Sequence, residues 1–597
     1  MTNANPVYLS SRAPSTPADR KLRDELQERF VRELWYLIAA VSVLLVIIRL
    51  TRFLLSRISS KTPATSQTSE KGDIERLSSP SSGKRALRNT FSAFATTFKI
   101  IAFRLTLPIG SQSRTTIAEV TFIAGYIIAV LTWLFVETRH LQPVFWQDRA
   151  GHLAACQVPL IVALAGKNNI ISFFTGIGHE KLNVLHRASA RTCLLLAWIH
   201  ALGRINSGLP PQFDFTHDWV RAGAVAISAF TLATFLSFRP IRHIAFEFFL
   251  ISHIVLIAIF IICGFFHAGK QGFGAYFWPA LVIWAADRCA RVVHVLWNSR
   301  TSQEQSSKAT VELLAEDTVR VTLRRRMDWT PGQHAYLIVP SVSAIPFEAH
   351  PFTMASVPKR VAATEDNEIV FLIRGRGGFT QRLKEYARSH ASNSLPVYLD
   401  GPYGNPPNLH KYSTCILIAG GSGISYTLAQ LHDLVHNHKG DKSSVRRVVF
   451  LWAVRDGGHL SWVTKVLSDA LAAAPPALSI EPRVYVTGPN YSTPSIPKLD
   501  SDIEGSVSSL DSPDKEINEL PIYTALKLTH GRPSIKKLLH EEILSTVGPV
   551  SVDVAGPSAL TEAIRQALCK YPASADAALK GVPSVTLHVE TFGMVTG

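Results

Sequence analysis

A chain of 597 residues, 47% of them hydrophobic and with a positive mean hydropathy, is too apolar for an ordinary soluble enzyme and too polar for a pure membrane bundle. A membrane part joined to a soluble part fits. The formal net charge of +16 does not signify nucleic acid, because no basic patch is interleaved with aromatics; twelve Lys and Arg between Arg49 and Arg114 follow the first apolar span, where positive charge sets membrane orientation.

Residues 1–34 are polar and charged, lack the apolar core and cleavage site of a signal peptide, and read as a polar N-terminal segment. Windows long enough to cross a bilayer fall at 35–55, 117–138, 150–166, 182–203, 219–238, 246–268 and 273–297. The third is short, and Asp287, Arg288 and Arg291 interrupt the seventh. The segment 91–108 is only half apolar and reads as lying on the membrane surface. Loop charge places the basic 56–116 connection, Arg239 and Arg242 in the cytosol, with the large C-terminal part on the same side. The expected organisation is a first span and basic loop over 35–115, a transmembrane helical domain over 116–300, and soluble domains over 305–412 and 413–597.

Two of the spans carry histidines at one shared interval. His186 and His200 lie fourteen residues apart, as do His253 and His267. Fourteen helical residues advance about 21 Å and return within about 40° of the starting direction. Each pair therefore shares a helix face, and pairing the two helices sets His186 opposite His253 and His200 opposite His267. Two facing imidazoles can take both axial positions of a haem iron. A lone intramembrane histidine is more often a helix–helix hydrogen bond or a proton relay. Four at one interval are hard to obtain by chance. His179, His217, His243 and His294 have no partner at that interval and read as interfacial or loop residues. Arg187 suits a haem propionate or an interfacial cation equally well. The six cysteines are scattered without a CxxC, so neither a disulfide framework nor a cysteine metal site is indicated.

Beyond Trp297 the hydropathy falls. Residues 308–402 alternate or run apolar between Gly/Pro turns, as strands do. Within them "HPFTMAS" (350–356) offers His350, Pro351, Phe352 and Thr353: an aromatic plane, a hydroxyl and a phosphate donor for a flavin, although such a string is usually just a strand. "RGRGGFTQRL" (374–383) opens a helix at a glycine turn whose N–H groups can hold a pyrophosphate, with Gly377, Gly378 and Thr380 as contacts. From Thr414 strands alternate with helices. "IAGGSGIS" (418–425) is a strand entering a glycine turn and a helix, the context in which Gly420, Gly421, Ser422 and Gly423 make a nucleotide-phosphate site. The next strand ends at Arg455, which either meets a 2′-phosphate and favours NADPH or is an ordinary exposed arginine. A late strand ends at Gly556-Pro557, where backbone can approach a nicotinamide. Residues 488–520 are rich in Ser, Pro and Asp and read as a disordered insertion.

Taken in order, the spaced histidines, "HPFT", "GGFT", "DGPYG", "GGSGIS" and "AGP" resemble the fungal ferric reductases of the ferric reductase/NADPH oxidase superfamily, over about residues 115–597. The resemblance implies a multi-pass α-helical membrane bundle that binds two haem b groups, then a cytosolic β-barrel FAD domain and an α/β ferredoxin-reductase-like NADPH domain. It further implies electron flow from cytosolic NADPH through FAD and haem to extracellular Fe(III), free or siderophore-bound, or Cu(II). Iron uptake at the plasma membrane, linked to an iron permease or a multicopper oxidase, goes with that reading. There are departures. Ala555 stands where relatives commonly have Cys before Gly-Pro, and Phe592, with Glu590, is the candidate for the aromatic that covers the flavin. The connections 204–218 and 269–272 carry no cluster of metal ligands, so the acceptor follows from the family alone. The alternatives are an NADPH oxidase forming superoxide and a transporter using the histidines as a proton relay. The latter leaves the flavin and nucleotide motifs unexplained.

Overall fold

A computed structural model describes residues 17–59, 82–108, 114–137, 143–209, 211, 214–300, 308–359, 365–389, 394–438, 443–488 and 526–590. Phe592 and all but the first residue of the expected 488–520 insertion lie outside them. The chain divides into two compact units, Met1–Ser59 with Thr121–Arg288, and Ser60–Val120 with Cys289–Gly597.

The first unit is helical. Among the described residues four segments are long and apolar enough to cross a membrane: Asp24–Leu54, Ile117–Phe135, Asp218–Leu236 and Phe246–Gly269. The 182–203 window lies inside one helix, His179–Asn206, of 28 residues and about 42 Å. Its charged and hydroxylated side chains keep it less apolar than the others. The 150–166 window is not one unbroken helix: helices Pro143–Ala155 and Val158–Ala165 meet at Cys156–Gln157. Pro159 explains the break, because a ring without an N–H is accommodated in the first turn of a helix but not inside one. The helix Trp278–Asn298 runs on through its charges. Asp287 is buried there, accepts the Asn168 N–H at 2.8 Å and pairs with Arg288.

The core of this unit gathers Val130, Leu134, Leu153, Cys193, Leu196, Phe230 and Phe260. Phe230 and Phe260 stack with centroids 4.4 Å apart. Cys156 and Cys193 are buried thiols acting as small hydrophobes, as expected of them. The helix His179–Asn206 packs chiefly on Pro143–Ala155 and Val158–Ala165, and Phe246–Gly269 packs chiefly on Asp218–Leu236. The two histidine helices share little direct backbone packing, which leaves a seam between them.

The second unit holds two strand-built parts. Strands β1 (Thr106–Pro108) and β2 (Arg114–Thr116) form a small hairpin. Strands β3 (Lys308–Ala315), β4 (Thr318–Arg325), β5 (His334–Ile338), β6 (Ala349–Thr353), β7 (Asn367–Arg374), β8 (Ser394–Pro396) and β9 (Tyr398–Tyr403) make two antiparallel sheets, β7-β4-β3-β8 and β6-β5-β9. A bridge between Met354 and Phe371 joins the sheets. Period-two burial of Ala309 and Val311, of Val319, Val321 and Leu323, and of Ile369, Phe371 and Ile373 supplies one shared core.

Then come β10 (Thr414–Gly420), β11 (Arg447–Val454), β12 (Ser479–Val486), β13 (Lys527–His530), β14 (Val550–Ala555) and β15 (Val585–Glu590), all parallel, in the order β13-β12-β11-β10-β14-β15. β10 and β14 are buried along their whole length, as central parallel strands covered on both faces must be. Strand order reverses between them, and ligands of such sheets bind at that switch point, beyond the carboxyl ends of the strands.

The 91–108 segment does not stand apart from the soluble domains. It belongs to the helix Ser82–Lys99, a five-residue π-helical turn and β1, and one side packs on the helices Ser558–Leu568 and Ala575–Leu579. Arg104, buried, donates to the carbonyls of Leu568, of Ala573 at 2.9 Å and of Val585 at 2.9 Å. The first two are open carbonyls at a helix C-terminus and in the loop behind it, which need donors, and the third opens β15.

Candidate redox site

In the helical unit the structure sets the His200 and His267 rings opposite each other, centroids 6.3 Å apart and planes inclined at 69°. A metal–imidazole bond is ~2.0–2.1 Å and the nitrogen sits ~1.1 Å from the ring centre, so two rings on opposite sides of one metal have centroids ~6.2–6.4 Å apart. The pair therefore fits a shared iron. Each ring is also oriented from behind. His200 Nδ1 lies 3.1 Å from the Gln147 carbonyl and His267 Nδ1 2.9 Å from the Trp219 carbonyl. A carbonyl only accepts, so Nδ1 carries the proton and Nε2 keeps its lone pair, as a ligating histidine requires.

The other pair follows the same plan with one difference. His186 Nδ1 donates to the Ile161 carbonyl at 2.8 Å and comes within electrostatic reach of His253. His253 Nδ1 is buried beside the Ala233 carbonyl but makes no hydrogen bond of ordinary geometry. Arg187 lies among Arg191 and Arg242, a cationic group at the His186 end.

Sequence reading missed what seats these rings. A β-carbon on Gly223 would lie 2.5 Å from His267 Nδ1, and one on Gly151 would lie 2.9 Å from His200 Nδ1. Trp219 also stacks on His267, centroids 5.4 Å apart. Gly151 lies on a helix that sequence spacing does not connect to the histidines, and only its position opposite them reveals the role.

In the second unit the HPFT and GGFT motifs come together. His350 and Phe352 share one face of β6, and Phe379, next after Gly378, covers it. The His350 and Phe379 rings stack at 4.4 Å and the Phe352 and Phe379 rings lie 6.3 Å apart. Pro351 pairs with Tyr336, and Thr353 is buried opposite His334. His350 Nε2 is engaged by Glu348 at 2.6 Å, and Arg382 holds the same carboxylate at 3.1 Å. Burial works to raise the Glu348 carboxyl, but the bonds from His350 and the Ala344 N–H and the Arg382 charge outweigh it and hold it below the usual range. The structure thus gives the phosphate-donor role expected of His350 no free Nε2, and puts Arg382 next to it.

Thr380 caps the following turn. Its Oγ1 accepts from the N–H of Arg376 at 3.1 Å and of Gly377 at 3.4 Å, and donates to the Gly377 carbonyl. Gly378 has φ +52°, and a β-carbon on it or on Gly377 would meet nothing within 4 Å. The turn is open to a ligand.

At the switch point the two glycine turns interlock. A β-carbon on Gly423 would lie 2.0 Å from the Ala555 carbonyl oxygen, one on Gly420 would lie 2.7 Å from Pro557, and one on Gly556 would lie 3.0 Å from Gly420. These three glycines and Pro557 are needed to bring β10 and β14 together. Gly421 (φ +57°) and Ser422 instead line a cavity with Thr318, Arg374, Trp452 and His459. Trp452 Nε1–H donates to the Gly421 carbonyl at 3.1 Å.

Asp317, which the sequence did not single out, joins the two strand-built parts. It accepts from Arg374 Nε at 2.5 Å and bonds His459 Nε2 at 2.7 Å. Arg455 is exposed at the end of β11, and Arg374 and Arg455 are charge neighbours of Arg376. Burial and the repulsion of those two cations push Arg376 below its ordinary value. Asp553, two residues before Ala555, is wholly buried. It accepts from Ser551 at 2.5 Å and lies 3.5 Å from the Tyr426 hydroxyl, while His588, 3.3 Å from Glu590, stacks on Tyr426.

In chain order, a helical unit with segments long enough to cross a membrane is followed by an antiparallel strand-built domain and a parallel nucleotide-type fold. Three family models match in that order: "Ferric reductase like transmembrane component" over 150–264, "FAD-binding domain" over 303–407 and "Ferric reductase NAD binding domain" over 412–569. The chain therefore carries, in this order, a ferric reductase-like transmembrane component, an FAD-binding domain and a ferric reductase NAD-binding domain. It is 28% identical over 61% of its length to a probable cell surface ferric reductase of Aspergillus oryzae, covering 52% of that protein. It is 25% identical over 70% of its length to "Ferric/cupric reductase transmembrane component 1" of Candida albicans, covering 54% of it. "Ferric reductase transmembrane component 5" of Saccharomyces cerevisiae is 26% identical over 73% of this chain and 60% of its own. The matches thus span only about half to three-fifths of these relatives.

Proposed function

We propose that the chain is a transmembrane ferric-chelate reductase, taking reducing equivalents from NADPH and delivering single electrons across the membrane to Fe(III), free or siderophore-bound, or to Cu(II). The observation that carries this reading is the His200–His267 pair, whose rings lie 6.3 Å apart and could together hold one iron, each with Nδ1 bonded to a backbone carbonyl. The printed names of the relatives support the acceptor. The printed name of the cell surface relative supports a plasma-membrane location, and loop charge supports C-terminal domains in the cytosol.

When bound, the nicotinamide nucleotide and FAD supply hydride chemistry and two b-type haems supply one-electron transfer. The protein's part is ligation, orientation and exclusion of water. His186 with His253, and His200 with His267, would hold the two irons. Leu196, Phe230 and Phe260, all buried, keep the surroundings of the seam apolar. The face made by Phe352 and the Thr380-capped turn would hold the flavin and its phosphates. Gly421 and Ser422 would approach the nucleotide, and Arg455, beside Arg376, would favour a 2′-phosphate. No side chain has to act as a general acid or base.

A dithionite-reduced difference spectrum of wild-type protein and His200→Ala, joined to an Fe(III)-reduction assay, tests the reading. The expected result is a b-type spectrum, with about half of the haem lost in the variant and NADPH-driven Fe(III) reduction abolished. Unchanged haem content would sink the assignment. Superoxide formation exceeding Fe(III) reduction would make the chain an NADPH oxidase instead.

A further inference from the structure

The helix Ser82–Lys99 is amphipathic in the sense opposite to the one protein packing would produce. Its inward face carries Asn89, Ala93 and Thr96, small or polar; Ala93 and Thr96 are buried, and Asn89 donates to the Leu579 carbonyl at 3.1 Å. The outward face carries Leu87, Phe91, Phe94 and Phe98 at spacings of four, three and four, and Ile101 continues the line. Phe91 and Phe94 are 74% and 72% exposed. A stripe of four large side chains about three helical turns long is unusual on a surface that meets water.

Three observations say what covers it. First, the strap leads directly into a membrane span: the Ile117 N–H, opening the helix Ile117–Phe135, donates to the Leu105 carbonyl at 3.3 Å, and β1 and β2 close the hairpin between them. The end of the strap is therefore tied by a backbone hydrogen bond to the first residue of that candidate span. Second, the exposed line runs on through Leu105 and Leu107 toward that point. Third, no acidic residue occurs between Glu75 and Glu119, while Lys84, Arg85, Arg88 and Lys99 lie in the helix sequence.

We propose that this helix lies in the plane of the membrane, its Leu87–Phe91–Phe94–Phe98 face sunk among the acyl chains of an anionic leaflet, and that its inward face fastens the nucleotide-binding domain to that leaflet. The inward fastening is already made. Arg104 satisfies three carbonyls around the helix Ser558–Leu568, Arg114 pairs with Glu562 at 2.8 Å, and Thr106 donates to the same carboxylate at 3.1 Å. Interfacial helices bind through buried apolar area together with attraction of basic residues to anionic lipid. Both are present on one element whose other side grips the nucleotide domain. The inference stands on the membrane insertion of the chain and not on what it reduces.

The test places a photo-crosslinking benzoyl-phenylalanine at position 94 of the full-length protein, in nanodiscs of phosphatidylcholine alone or rich in phosphatidylserine. Irradiation is expected to give lipid adducts at position 94, about fivefold more with phosphatidylserine. The same group at position 93 should give crosslinks only within the chain. Absence of lipid adducts at 94, adducts to a second copy, or equal lipid labelling at 93 and 94 would overturn the proposal. Repeating the measurement at Phe91 guards against misfolding of one variant.

Discussion

Gly223 stands against His267 so closely that a β-carbon added to it would lie 2.5 Å from the imidazole Nδ1. The ring is held there by the Trp219 carbonyl, in the same helix as Gly223, so it has no room to yield without leaving that hydrogen bond. Gly223→Ala is expected to lose the haem assigned to His200 and His267, about half of the total, while the other pair keeps its own. Gly125→Ala, where a β-carbon meets nothing within 4 Å, is the control. A Gly223→Ala protein with the full Soret absorbance would remove this glycine from the site.

Asp317 ties the flavin-type domain to the nucleotide fold through Arg374 and His459. Burial tends to raise its carboxyl, but the hydrogen bonds from His459, Arg374 and Thr318 prevail and hold it below the usual range. The sign follows. A carboxyl depressed in the folded state stabilises above its unfolded value of about 3.9, and that contribution is lost as pH falls through the lower folded value. Asp317→Asn should therefore lower the melting temperature at neutral pH and converge on wild type below about pH 4. An unchanged gap between the two proteins throughout acidification would refute the role.

Asp553 behaves in the opposite way. Burial raises its carboxyl to about 6, against the opposing pull of His588, Ser551 and Tyr426. Its folded value exceeds the unfolded one, so the associated stability is complete below about pH 3.9 and lost as pH rises through about 6, on the order of 3 kcal/mol in all. Asp553→Asn keeps an acceptor for Ser551 and has no charge to bury. Its stability should be flat over that interval where wild type declines, as thermal unfolding at successive pH values would show. Parallel curves would mean that the carboxyl does not titrate there.

Arg455 lies exposed at the end of β11, with Arg376 as a charge neighbour. If it meets the 2′-phosphate, Arg455→Ala should raise the KM for NADPH about tenfold, a loss near 1.4 kcal/mol, and leave the KM for NADH unaltered. Equal effects on both nucleotides would make it an ordinary surface arginine.

The histidine interval shows how far one-dimensional reading reaches. A repeat of fourteen residues in an apolar helix fixes a shared face by helical geometry alone, and the structure sets His200 opposite His267 accordingly. The same arithmetic could not find Gly151, Gly223 or the carbonyls of Gln147, Ile161 and Trp219, because they come from other helices or have no side chain to notice. In the strand-built parts the glycines of "GGSG" read as phosphate contacts and Gly556 of "AGP" as an approach to the nicotinamide; the structure has Gly420, Gly423 and Gly556 taken by the crossing of two turns and Gly421 left facing the cavity. The 150–166 window holds a break between two helices because hydropathy is blind to where Pro159 must sit in a helix.

Period and composition, which depend only on neighbours along the chain, thus determined that apolar helices come first, strands next and alternating strands and helices last, with two histidine pairs at one interval. Tertiary structure alone decided which side chains became partners. Asp317 meets His459 across 142 positions and Arg104 meets Val585 across 481, separations over which no local pattern carries information. The strap helix makes the point most plainly: its sequence read only as half apolar, and packing alone showed that small and polar residues turn inward to the protein while the aromatic ones turn out.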